Sequence, residues 1–267
     1  DQDNGKTFPD WEMRKLAEVF KWIRTNNLSR AQLTMEGNGI QNIHYGDIHM
    51  KFSTQFDQDK ANAPYVISSD NSLDFSDDSF CKVGDIIIAD ASEDYNDIGK
   101  AIEIMRVKPR SLVAGLHTYI ARPIDELASG FAGYLFQSPV IRKRIMRIAQ
   151  GITVLGISKT NLEKIDIPYP HPKEQHKIAE FLGSVDAKLD ALRRKRALVA
   201  EYKRGVMQKL FSQEIRFVGA NKWPYPDWTH KNLGNISQIL RGSGLSKSLL
   251  SIEGQYECIL YGELFRA

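Results

Sequence analysis

From Lys173 to Phe211 the chain contains no proline, and its only glycines there are Gly183 and Gly205. Apolar side chains recur at Ile178, Leu182, Val185, Leu189, Leu192, Val199, Val206 and Leu210, at the alternating spacing of a coiled-coil seam. Pro168, Pro170 and Pro172 close whatever precedes this run. At 1.5 Å per residue the helix would be about 60 Å long, too long to lie lengthwise inside so small a domain. Such a helix needs a partner helix. Arg196 and Lys203 occupy seam positions, where a charge costs stability but penalises wrong alignments. The plain alternative is a domain followed by a packed terminal helix.

A second feature supports pairing. Phe8-Pro9-Asp10-Trp11 returns as Tyr225-Pro226-Asp227-Trp228. At the same interval Leu16 matches Leu233, Val19 matches Ile236, Arg24 matches Arg241, and Leu28-Ser29-Arg30 matches Leu245-Ser246-Lys247. Glu36-Gly37 matches Glu253-Gly254. After a one-residue slip, Ile43 to Asp47 aligns with Ile259 to Glu263. Chance does not keep so many positions in register, so this is an internal repeat. The expected organisation is a domain over residues 1–170, a long spacer and dimerisation helix over 171–213, and the start of a second, incomplete copy over 214–267.

Inside the first copy, short apolar runs between polar turns read as strands: Ile86 to Ala89, Ala101 to Ile104, and Leu112 to Ala114. Ser138-Pro139 is a helix start, giving a helix over about 139–149 that ends at Gly151. A turn-rich loop is expected from Gly151 to Thr160, then a short strand at Ile165-Asp166-Ile167. The fold class is α+β: a mixed, β-rich domain followed by a long coiled-coil-forming helix.

Composition narrows the chemistry. With 36 Lys+Arg against 33 Asp+Glu the net charge is +3, so any basic surface must be local. Cys81 and Cys258 make neither a disulfide scaffold nor a zinc ribbon, which favours a reducing, cytoplasmic setting. No apolar run approaches the roughly 18–20 residues of a membrane span, and no signal-peptide pattern opens the chain. The opening residue, Asp1, suits a trimmed chain. There is no P-loop, no HExxH and no Pro-Pro dipeptide of the amino-methyltransferase loop. The acidic stretch Asp90, Ser92, Glu93, Asp94 and Asp97 fails as an EF-hand, with Tyr95 where Gly is needed and Ala101 where the bidentate Glu should stand. A solvated acidic loop is the better account than a nuclease metal site. Neither catalysis nor a cofactor on this chain is expected.

Three stretches, in order and spacing, carry a family likeness. They are Trp11, Leu16, Val19, Asn27 to Arg30, Gly37 and Tyr45-Gly46-Asp47-Ile48; Val83-Gly84-Asp85-Ile86-Ile87-Ile88; and Gly151 to Lys159 leading into Ile165 to Pro170 and Glu174 to Ile178. With the long helix, they make the chain resemble the specificity subunit of a type I restriction–modification system. The resemblance covers essentially the whole chain. It implies two target-recognition domains held apart by two antiparallel helices, reading a bipartite sequence on double-stranded DNA. It also implies docking of modification subunits that methylate adenine. S-adenosylmethionine, ATP and Mg would sit on partner subunits only, and restriction subunits would join through the complex. The sequence departs from that pattern in holding one whole domain, one helix and the start of a second domain. It would then be a piece of a longer subunit, or a shortened subunit that forms a homodimer through the long helix.

Three clusters are candidates for DNA contact, since Lys and Arg hold phosphates while Arg and Asn read guanine and adenine bidentately. They are Arg24, Asn26, Asn27 and Arg30; Arg142, Lys143, Arg144 and Arg147; and Thr153, Ser158 and Lys159. Each competes with a solvated surface, and Ser158-Lys159-Thr160 equally suits a helix start. Lys51 and His117 are weaker candidates. The run Arg193-Arg194-Lys195-Arg196 suits either DNA between half-sites or an acidic patch on a modification subunit. A coiled-coil interaction module without DNA specificity, or a metal-dependent nuclease, are the alternative functions.

Overall fold

A computed structural model of the chain describes residues 8–67, 75–242, 244–251 and 253–265. In chain order the strands are β1 (Glu12–Lys15), β2 (Phe20–Ile23), β3 (Leu33–Thr34), β4 (Gln41–Ile43), β5 (Gln55–Asp57), β6 (Tyr65–Val66) and β7 (Ile86–Ala89). They continue with β8 (Ala91–Ser92), β9 (Ala101–Arg106), β10 (Leu112–Ala114), β11 (Thr118–Pro123), β12 (Leu155–Gly156) and β13 (Asp166–Tyr169). The helices are α1 (Leu16–Val19), α2 (Tyr45–Met50), α3 (Gln58–Ala61), α4 (Phe131–Gln137), α5 (Pro139–Ile148), α6 (Lys159–Glu163), α7 (Pro172–Phe211) and α8 (Leu233–Ile236). Among the described residues no helix is long and apolar enough to cross a membrane. The chain divides into two compact units, Asp1–Val199 and Ala200–Ala267, with the division inside α7.

The first unit is built on a five-stranded mixed sheet of order β2-β11-β7-β9-β5, accompanied by a four-stranded sheet of order β10-β4-β6-β3. The central strand β7 is Ile86-Ile87-Ile88-Ala89 and is buried along its whole length. Its alternate side chains enter two separate cores. Ile86 and Ile88 pack with Phe131, Phe136, Ile141, Ile145 and Leu162 of the helices. Ile87 and Ala89 pack with Ile43, Ile48, Leu112 and Ala114. A strand covered on both faces can be apolar at every position, which is why its sequence shows a run rather than an alternation. Buried carboxyl groups here are hydrogen-bonded. Glu103 on β9 accepts from the backbone N–H groups of Gly130 (2.6 Å) and Gly133 (2.7 Å), satisfying the start of α4.

The expected strands at Ile86 to Ala89, Ala101 to Ile104 and Leu112 to Ala114 form, as do the helix after Ser138 and the long helix, which spans Pro172–Phe211. Helix α5 starts at Pro139 with Ser138 as N-cap. Strand β13 runs on through Pro168 to Tyr169, one register step beyond expectation at its start and two at its end. Among the described residues it pairs with β1 alone, and a proline is tolerated where no second neighbour needs its missing N–H. The loop after Gly151 carries the two-residue strand β12, paired with β8, and then α6.

Helix α7 is rooted in the first unit. Gln175 is fully buried, donating to the Pro170 carbonyl (2.9 Å) and accepting from the Ala128 N–H (3.2 Å). Ala179 is buried, and Tyr134 Oη donates to Asp186 at 2.7 Å. Ile178, expected on the pairing seam, instead packs against the domain core, because the first turns of the helix lie on the domain. Beyond that root Val185, Leu189 and Leu192 are exposed, as are Arg196 and Val199.

In the second unit Lys203 is exposed while Val206 and Leu210 are half-buried. Arg216 holds the repeated Tyr225-Pro226-Asp227 segment, donating to Asp227 (2.9 Å) and to the carbonyl of Tyr225 (2.8 Å). Trp228 meets Phe211 edge to face. The apolar positions of the repeat fare differently in its two copies. Leu16 and Ile43 are wholly buried, whereas their counterparts Leu233 and Ile259 are 63% and 80% exposed. The first copy buries them under its sheets; in the described part of the second copy no such sheet follows.

Candidate nucleic-acid interface

The chain leaves β2 at Ile23 and passes through Arg24-Thr25-Asn26-Asn27 into the buried Leu28. Thr25 Oγ1 donates to the Thr118 carbonyl (3.1 Å), and the Asn26 N–H to the Ala114 carbonyl (3.0 Å). The Asn26 side-chain amide donates to Asn42 Oδ1 and to the Ala114 carbonyl, each at 2.9 Å, while its oxygen accepts from Leu28 N–H at 3.0 Å. Both amide hydrogens are therefore engaged. Asn26, expected among the DNA contacts, is a framework residue, because bidentate reading of adenine needs a free donor. Pinning at 25, 26 and 28 leaves Arg24 and Asn27 exposed, without a partner among the described residues.

Arg30 is also occupied. Its guanidinium forks onto the carboxylate of Asp47 at 2.7 and 2.6 Å, and Lys51 approaches the same carboxylate at 3.2 Å. Burial alone would raise the Asp47 pKa, but the hydrogen bonds from Arg30 and Lys51 outweigh it and hold the carboxyl below its ordinary value. Arg30 and Lys51 thus anchor α2 rather than standing free.

Strand β11 bridges β2 and the segment before α6 through one side chain. Tyr119 on β11 lies edge to face against Trp22 of β2, and its hydroxyl donates to the Ile157 carbonyl at 3.1 Å. Next to it His117, in the left-handed region with φ 56°, contacts Asp90 at 3.2 Å. Burial raises the Asp90 pKa against the opposing pull of His117. Ser158 caps α6 by accepting from the Asn161 N–H, so it has a structural task. Lys159 is half-exposed and reaches Glu163 at 3.7 Å.

Helix α5 divides its basic residues. Arg142 donates to the Asn96 carbonyl at 2.7 Å, and burial lowers its pKa; Arg144 donates to the Asp166 carbonyl. These two fasten the helix. Lys143 and Arg147 are exposed, without a partner among the described residues. Just beyond, Gln150 and Gly156 exchange backbone hydrogen bonds of 3.0 and 2.7 Å, closing a hairpin around Gly151 to Leu155. Gly151 has φ 130°, and a Cβ there would collide with the Val154 carbonyl oxygen. Thr153 is exposed on this hairpin, and Ile152 is completely exposed at its tip. Sequence reasoning did not single out Ile152. The available signal was an isoleucine directly after a glycine whose conformation forces a tight turn.

The acidic stretch is organised by its own hydrogen bonds, the Asp94 N–H donating to Ser92 Oγ and the Asn96 N–H to the Asp94 carboxylate. Among the described residues no three His, Cys, Asp or Glu side chains are grouped so as to hold a metal ion.

Among the described residues, Arg24 and Asn27 stand without a partner on a pinned loop, Lys143 and Arg147 do so on α5, and Thr153 is exposed on a tight hairpin. Comparison with known proteins agrees in kind. The family model of the type I restriction modification DNA specificity domain matches residues 9–201. The MjaX type I restriction enzyme specificity subunit of Methanocaldococcus jannaschii is 26% identical over 97% of this chain and 60% of its own length. The MjaVIII specificity subunit of the same organism is 26% identical over 81% of this chain and 49% of its own length. The chain therefore spans about half to three fifths of these relatives. The solved S subunit of a type I restriction–modification system from M. genitalium superposes with a TM-score of 0.52 at 20% identity, over 79% of this chain and 48% of that one, a likeness of fold. With the family model covering most of the chain, this protein belongs to the type I restriction modification DNA specificity domain family.

Proposed function

We propose that the chain is a DNA sequence reader of a type I restriction–modification assembly. Its first unit binds one half of a bipartite site on double-stranded DNA, and α7 spaces that half from the other. The observation that carries this is the pairing of a family match over residues 9–201 with Arg24 and Asn27, which have no partner among the described residues, on a pinned loop. Lys143, Arg147, Thr153 and Lys159 are further exposed candidates on the first unit, with phosphates as their targets. The chain directs modification subunits, which carry S-adenosylmethionine and methylate adenine, and through them restriction subunits that use ATP and Mg. It performs no chemistry itself and works in the cytoplasm.

The exposed seam from Val185 to Val199 supports pairing of α7 with a second such helix. In this chain by itself the partner is a second copy, giving a homodimer and a symmetric target. Light scattering tests the assembly: a mass near twice 30.3 kDa is expected for the chain alone, and a larger one once the modification subunit binds. DNA binding tests the function, with affinity falling steeply with salt. Salt-independent behaviour would leave a coiled-coil interaction module, and cleavage by this chain with Mg²⁺ alone would make it a nuclease.

A further inference from the structure

The internal repeat sets one reader beside the opening segment of a second within one polypeptide. Contacts to phosphate are the same on every sequence, whereas contacts to base edges must change when the target changes. Two readers of different half-sites therefore keep their phosphate contacts and exchange their base contacts. Three basic positions are kept between the copies: Arg14 with Lys231, Arg24 with Arg241, and Arg30 with Lys247. Two of them have internal reasons to persist. Arg14 pairs with Glu12 at 2.7 Å and lies over the Tyr169 ring. Arg30 forks onto Asp47, and the counterpart of that acid, Glu263, is again an acid. Arg24 is kept although it is exposed and has no partner among the described residues. Three residues on, the exposed Asn27 is replaced by Gly244, which has no side chain at all. In the first copy the residues between are fixed by the bonds of Thr25 and Asn26, and their counterparts Gly242 and Ser243 change with that framework, whereas the buried Leu28 is kept as Leu245. Asn27 differs from Thr25 and Asn26 in having no internal bond to lose among the described residues.

We infer that Arg24 and Asn27 divide the work of this loop: Arg24 is a phosphate anchor common to both readers, and Asn27 is the base-reading residue particular to the first. Asn donates and accepts against the major-groove edge of adenine, so the position it reads is an A·T pair. The assignment rests on the DNA-recognition function proposed above and refines it to two side chains.

The test uses the full chain with its modification subunit, selecting from a pool of randomised DNA duplexes and titrating affinity with salt. Arg24→Ala should enrich the same motif as the parent, while the slope of log K against log salt falls by about 0.9, the share of one phosphate. Asn27→Ala should keep the slope but lose preference at one A·T pair by about 5- to 150-fold. Matching melting curves for both variants show that folding is untouched, as two exposed side chains without internal bonds require. An Asn27→Ala motif identical to the parent's, or an Arg24→Ala motif altered at an unchanged slope, overturns the division while leaving DNA recognition standing. A parent chain that enriches no motif overturns DNA recognition itself, and the division with it.

Discussion

Replacing Asp85 by Asn tests how the centre of the first unit is held. Asp85 is fully buried at the entrance to β7, where its carboxylate accepts from Arg122 Nε and Nη2, each at 2.8 Å, and from the Lys82 N–H at 2.7 Å. Arg122 lies on the neighbouring strand β11, with Nη2 also donating to the Phe80 carbonyl at 2.9 Å. An amide retains one acceptor oxygen, turns its NH₂ toward existing donors, and leaves a buried guanidinium without a counter-charge. Removing one member of a buried pair costs about 3–5 kcal/mol, set against roughly 5–15 kcal/mol for a whole domain. At about 2–4 °C per kcal/mol for a domain of this size, the unit should melt about 6–20 °C lower. Hydrogen exchange of the β7 and β11 amides is the assay, because it reports on these strands directly. Their protection should fall by about 3–5 kcal/mol. The double variant Asp85→Leu/Arg122→Met removes both charges and should recover part of that loss. A single-variant loss below about 1 kcal/mol, or a double variant worse than either single one, would refute the reasoning.

Two further outcomes are expected. The Asp47 carboxyl is held below its ordinary value in the folded state, so fewer protons bind there than to the unfolded chain over that interval; its stabilisation is complete above about pH 4 and is lost as pH falls through the depressed value. Urea midpoints between roughly pH 2 and 6 should show this slope, and Asp47→Asn should flatten it; an unchanged slope would mean Asp47 is not its source. Gly151→Ala should break the turn that closes the Gln150–Gly156 pair, because the methyl group collides with the Val154 carbonyl. The Gly156 amide should then exchange freely while the β7 amides keep their protection, and a Gly156 amide still protected would show that the turn tolerates a side chain.

Much of the architecture was legible because it rests on local signals. The proline-free seam, the Ser138-Pro139 helix start and the four-residue apolar run of β7 each depend on neighbours within a turn or two of chain. The family likeness was legible for a related reason: its stretches are short and keep their order. The candidate interface was legible only as a set of residue types. Arg24, Asn26, Asn27 and Arg30 look alike in sequence, yet Asn26 is engaged by Asn42, 16 residues away, and by Ala114, 88 residues away. Arg30 is engaged by Asp47, 17 residues on. Ile178 belonged to the seam by periodicity and to the domain core by packing.

By itself the sequence determined the strands built on continuous apolar runs, the helix after Ser138, where the long helix begins, and that the Phe8 to Trp11 pattern recurs at Tyr225. Periodicity, capping and repetition are properties of the chain read along its length. The tertiary structure alone decided which polar side chains remain free to meet another molecule. That choice depends on hydrogen-bond partners brought together by folding, and a donor already satisfied inside the domain has little left to offer DNA.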